Sequence, residues 1–126
     1  MLELEWTDDS FAQELLDRLD LWGADVQGGM ERFLYDEELY VKCIRRFAED
    51  PAMEALKEAI QNKDRQAAYE AAHTLKGTSA TLSLTPIYEA VKKIVDELNE
   101  DGDLTGFKED FQKLKMSFQE YRSLLL

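Results

Sequence analysis

The chain has 126 residues, 44% hydrophobic and 33% charged, which suits one soluble domain with a single core. A net charge of −12 argues against nucleic acid or anionic membrane as partners, because basic patches supply affinity for both. The single cysteine, Cys43, excludes an internal disulfide and fits a reducing cytoplasm.

The opening residues, Met1 to Trp6, lack a basic region followed by an apolar run and do not read as a signal peptide. No apolar stretch approaches the length of a transmembrane helix. Thr7 or Ser10 can cap a first helix to about Asp20, with Asp8 and Asp9 at its positive end. Phe11, Leu15 and Leu19 form its stripe, and Trp22-Gly23 ends it. Residues 25–34 carry Val26, Met30, Phe33 and Leu34 and predict a short helix despite Gly28-Gly29. Asp36 caps the next, 37–49, whose apolar face is Leu39/Tyr40, Cys43/Ile44 and Phe47. Asp50-Pro51 starts a helix with Met53, Leu56, Ala59 and Ile60 that ends near Asn62.

Asp64 opens a helix to about Ser83, and Thr85-Pro86 stops it and starts another. That next helix has its stripe at Ile87, Val91, Ile94, Val95 and Leu98. Asp101-Gly102-Asp103 reads as a loop and cap. The last helix, about 104–124, shows Leu104, Phe107, Phe111, Leu114, Phe118, Tyr121 and Leu125, the strongest periodic signal in the chain. No alternating β pattern or hairpin turn is present. The expected fold is all-α, an up-and-down antiparallel four-helix bundle with additional short N-terminal helices. The bundle helices would be 37–49, 64–83, 86–99 and 104–124.

The helix opened by Asp64 carries the only histidine, His73, and a glycine, Gly77, that costs about 1 kcal/mol against alanine in a helix interior. Ala68, Ala72, Leu75, Ser79 and Leu82 follow the core spacing. Tyr69, His73, Lys76, Gly77 and Ala80 share a different face. An imidazole there stands beside a cation and a position without a side chain. A ring nucleophile needs open approach, an attached anion needs a positive neighbour, and a docking protein needs small residues.

His73, Leu75, Lys76 and Gly77, with small residues at 78–80, resemble the motif of histidine phosphotransfer (HPt) domains in two-component phosphorelays. Arg32-Phe33, Asp36 to Tyr40, Phe47, Asp64 and Ala71-Ala72 extend the resemblance over about 24–100, within a single domain of 1–126. The resemblance implies that His73 takes a phosphoryl group from an aspartyl phosphate on one receiver domain and passes it to another. It implies Lys76 as charge partner and Tyr69, Gly77 and Ala80 as the receiver docking face. It implies no intrinsic cofactor or metal and no autonomous kinase activity, with Mg²⁺ on the receiver. The implied partners are response-regulator receivers or a hybrid sensor kinase, met by a cytoplasmic monomer or by the cytoplasmic domain of a larger kinase.

Three positions depart from the pattern. Ser83 stands where the family often has glycine, and Val95 where some members carry a glutamine that bonds the ring. Tyr35 replaces a common glycine before Asp36 and is expected to fill a pocket. Two other readings stay open: a passive bundle scaffold that has lost transfer, and the phosphorylatable domain of a chemotaxis-type kinase. Glu70 and His73 match half of a di-iron motif, but that site needs two such motifs and the chain has one histidine.

Overall fold

The computed structural model describes residues 9–99 and 107–126. Every element within them is helical: α1 Asp9–Trp22, α2 Val26–Arg32, α3 Glu37–Phe47, α4 Ala52–Gln61, α5 Arg65–Thr81, α6 Thr85–Asn99 and α7 Phe107–Leu124. Thr7, the Asp101-Gly102-Asp103 loop and Leu104 lie outside the described residues, as does the side chain of Ser10.

Helices α4, α5, α6 and α7 each pack against the next, giving the expected up-and-down bundle. The first arm is longer than 37–49. Pro51 lacks an amide, so the chain breaks there, and the Asp50 carboxylate accepts the Ala52 amide at 2.8 Å to restart it as α4. Thus α3 and α4 share the arm: α4 lies along α5, while Phe47 of α3 packs edge-on against Phe118 of α7 at 5.4 Å. The Tyr121 hydroxyl of α7 donates to the Ile44 carbonyl of α3 and ties the two together.

The expected caps at Asp36 and Asp64 form, and Asp25 caps α2 in the same way. Asp25, Asp36 and Asp64 accept the amides of Gly28, Leu39 and Ala67 at 3.0, 3.0 and 3.1 Å. Four helices close in the same way at their other ends. The amides of Ala24, Tyr35, Asp64 and Leu84 reach back to the carbonyls of Leu19, Met30, Ala59 and Ser79 at 3.0, 2.7, 2.9 and 2.9 Å. This closure needs a left-handed residue, and only α1 supplies a glycine, Gly23. The others use Leu34, Lys63 and Ser83 at φ 54°, 55° and 59°.

The described stripes turn inward at most expected positions. Leu15, Leu19, Tyr40, Ile44, Leu56, Leu75, Ile94, Leu114 and Tyr121 are all but inaccessible. Two expectations fail around α2. Leu34 is 86% exposed, because the left-handed closure of α2 turns it out of the helix. Tyr35 is 61% exposed at φ 62° and fills no pocket, its hydroxyl accepting from the Gln27 amide instead. Gly29 has a packing reason: a Cβ there would lie 2.1 Å from the Tyr40 hydroxyl oxygen.

That hydroxyl is buried and donates to the Leu82 carbonyl at 2.7 Å, linking α3 to the end of α5. Burial, reinforced by the Asp25 charge and partly offset by Arg32, pushes its pKa up to about 12. Removing it in Tyr40→Phe leaves the carbonyl without its donor. A loss of roughly 1–2 kcal/mol in chemical denaturation is expected.

Between α6 and α7, the buried Asp110 accepts from Lys93 at 3.2 Å. Burial alone would raise its pKa, but hydrogen bonds with Glu97 and Lys93, and the charges of Lys93 and Lys113, bring it below the usual aspartate value. A depressed folded-state pKa stabilises the fold above the unfolded value and stops doing so as pH falls through the folded one. The stability gap between wild type and Asp110→Asn should therefore narrow as denaturation is repeated from about pH 6 down to about pH 3.

Candidate functional site

Helix α5 presents two unlike faces. Ala68, Ala72, Leu75, Ser79 and Leu82 are all under 4% exposed, and the alanines let neighbouring helices come close. On the other face His73, Gly77 and Ala80 are exposed, while Tyr69 and Lys76 are half-buried. The spacing argument separated the two faces correctly.

The His73 ring is stacked on Tyr69, one turn earlier, with centroids 5.7 Å apart and planes within 8°. Tyr69 also packs against the core. Val95 is buried in the α6 stripe and takes no part in holding the ring. Lys76 lies toward α6, near enough to Asp96 to lower the carboxyl pKa, behind the larger effect of the Lys92–Asp96 bond at 2.8 Å. A Cβ built on Gly77 meets nothing within 4 Å. No packing among the described residues requires this glycine.

Beside His73 a groove of about 560 Å³ runs between α3 and α5. Helix α5 lines it with His73, Thr74, Gly77, Thr78 and Thr81, and α3 with Cys43, Arg46 and Phe47. Phe33, Asp50 and Leu82 complete its lining. Ala80 lies off this groove and lines a smaller hollow with Asp25, Ser83 and Tyr88. The predicted face is therefore divided: Tyr69 and Lys76 flank the imidazole toward α6, and Gly77 opens toward α3. The sequence reading missed Arg46 and the three threonines. Arg46 reads in sequence as a cation in the last turn of α3, favourable to the helix dipole, and only the folded chain places it on the groove that His73 lines.

The C-terminal end of α5 is clamped. The Arg32 guanidinium donates to the carbonyls of Ala80 and Thr81 at 2.6 and 3.1 Å and to the Ser83 hydroxyl at 2.9 Å. Tyr40 holds the Leu82 carbonyl, and the Asp25 amide donates to the Ser83 carbonyl at 2.8 Å. Ser83 thus makes the turn that glycine would make, anchored through its own hydroxyl. Among the described residues no three His, Cys, Asp or Glu side chains converge as a metal-ligand set.

The family model of the Hpt domain matches residues 44–124, more than half of the chain, and this span contains His73. The chain belongs to the Hpt domain family. It is similar in fold to the crystal structure of the HPt domain from an Hpt sensor hybrid histidine kinase of Shewanella. The TM-score is 0.72 over 82% of this chain and 90% of that one, at 12% identity. No curated protein sequence matches the chain. Membership of the Hpt family gives it a phosphotransfer-domain role in two-component signalling, in contact with histidine kinases or receiver domains. No described helix is long and apolar enough to cross a membrane.

The open space at Gly77 yields a stability prediction for this Hpt chain. Gly77→Ala adds a methyl group that touches nothing and removes the helix cost of glycine. Denaturation should show the variant about 1 kcal/mol more stable than wild type.

Proposed function

We propose that this Hpt domain relays a phosphoryl group between receiver aspartates through phosphohistidine at His73. The observation that carries the reading is the pairing of an exposed, ring-stacked His73 with a mid-helix Gly77 that no packing among the described residues requires. A stability cost with no internal return points to a requirement set from outside, namely close approach of a partner.

In the forward step an unprotonated His73 ring nitrogen attacks the phosphorus of the partner's aspartyl phosphate. A P–N bond forms, the P–O bond to the aspartate breaks, and the carboxylate leaves with the electron pair. The other ring nitrogen keeps its proton. The reverse step returns the group to a second receiver. Such transfer is governed by positioning and charge stabilisation. Tyr69 holds the ring plane, Lys76 offsets the charge of the phosphoryl group, and Gly77 and the groove beside it receive the partner. Ala80, away from the groove, serves as a contact at the margin of that face.

The domain supplies no cofactor in this reading, and Mg²⁺ sits on the receiver. It acts in the cytoplasm as a monomer, free or as part of a larger sensor kinase, and does not phosphorylate itself from ATP.

The test is transfer from a panel of phosphorylated receivers, read by intact mass. Wild type should gain one acid-labile phosphate, and folded His73→Gln should gain none. A wild-type protein that accepts phosphate from no receiver, or a His73→Gln that still accepts it, would reject the assignment.

A further inference from the structure

The His73 groove carries an arginine in an otherwise acidic protein. Net charge is −12, yet Arg45 and Arg46 stand together in the last turn of α3. Arg46 lines the His73 groove and also a second groove, which Arg45 and Arg122 line as well. Two of the three arginines are held without neutralisation. Arg45 lies over the Phe11 ring, 5.0 Å from its centroid. Arg122 lies over Phe118 at 4.8 Å and donates from Nε to the Ala48 carbonyl at 2.9 Å.

Arg46 is exposed, and its side chain makes no hydrogen bond or ion pair with another described residue. The described ion pairs, Lys92–Asp96 and Lys93–Asp110, lie on the α6 side. Asp50 and Glu49 are the carboxylates lining these grooves, and Asp50 is occupied capping α4.

On an acidic protein, three arginines gathered at one place give an acidic partner a local region of attraction. The result is orientation as well as attraction. A domain that carries a phosphoryl group brings about two negative charges to the contact. Arg46 is the one arginine that lines both the His73 groove and the outer groove. We propose that the Arg46 strip, extended by Arg45 and Arg122, is the docking rim for the acidic surface of the phosphoryl-bearing receiver. It orients that surface so that the phosphoryl group meets His73. The inference rests on the relay reading and adds to it the charge of the partner and the residue that reads it.

The experiment has two arms. In the first, wild type and His73→Gln are treated with phosphoramidate, a small donor that needs no docking. Labelling of the wild type alone establishes His73 as the acceptor, and labelling that ignores the substitution overturns the relay reading and this inference with it. In the second arm, transfer from a phosphorylated receiver that reacts with wild type is followed at KCl concentrations from about 0.1 M to about 1 M. The screening length falls there from roughly 10 Å to 3 Å.

The expected result is a wild-type KM that rises with salt. Arg46→Glu should raise KM roughly tenfold at the low-salt end and flatten the salt response, while Arg46→Lys stays near wild type. A wild-type KM indifferent to salt, or a helical Arg46→Glu with wild-type KM and salt response, overturns the proposal while leaving the first arm intact. If Arg46→Glu loses its helical signal, Arg46→Gln and the wild-type salt response decide.

Discussion

The C-terminal carbonyls of α5 have to be satisfied without extending the helix, and the rest of the site depends on how that is done. The chain spends Arg32, Tyr40 and the Asp25 amide on them, drawn from α2, α3 and the turn before α2. These bonds fix the α2–α3 corner against the far end of the helix that carries His73. Because α3 is anchored both there and to α7 through Ile44 and Ala48, its Arg46 edge is held at the groove that His73 lines. The groove therefore comes from end-capping as much as from core packing. Gly29 belongs to the same device, since the Tyr40 hydroxyl that reaches Leu82 occupies the space of a Cβ.

Helix α5 then divides its labour by face. Its inner stripe is small and apolar, so it sits deep in the bundle, and its outer strip keeps an imidazole open with little around it. The Tyr69 ring limits where the imidazole can turn, and cations stand on either side: Lys76 toward α6 and Arg46 across the groove on α3. An anion attached to His73 would find positive charge on both flanks. Asp96, paired with Lys92 and close to Lys76, moderates that charge on the α6 flank, and Asp50 lines the groove on the other.

Much of this was legible in the sequence because periodicity and capping chemistry are local. Asp25, Asp36 and Asp64 cap helices as aspartates do, and the α6 and α7 stripes turn inward at the described positions. Local rules fail where a neighbour decides. Leu34, Lys63 and Ser83 close helices in a conformation the sequence rules assign to glycine, so Leu34 looked like core and turned outward. Gly29 looked like a flaw in a short helix until Tyr40 was seen lying on it. That His73, Lys76 and Gly77 share a face follows from the spacing of one helix, whereas Arg46 and the groove arise only once the chain folds. Val95 could be placed in the core by its stripe, and the stacking of Tyr69 on His73 could be read only as a shared face.

The measurement closest to the central claim is a reconstituted relay: a labelled phosphorylated receiver, an unlabelled second receiver, and this protein between them. The account predicts that label reaches the second receiver only when the protein is present and His73 intact, with a transient labelled protein on the way. Label that crosses equally well without the protein, or that stops on it and never leaves, would contradict the account.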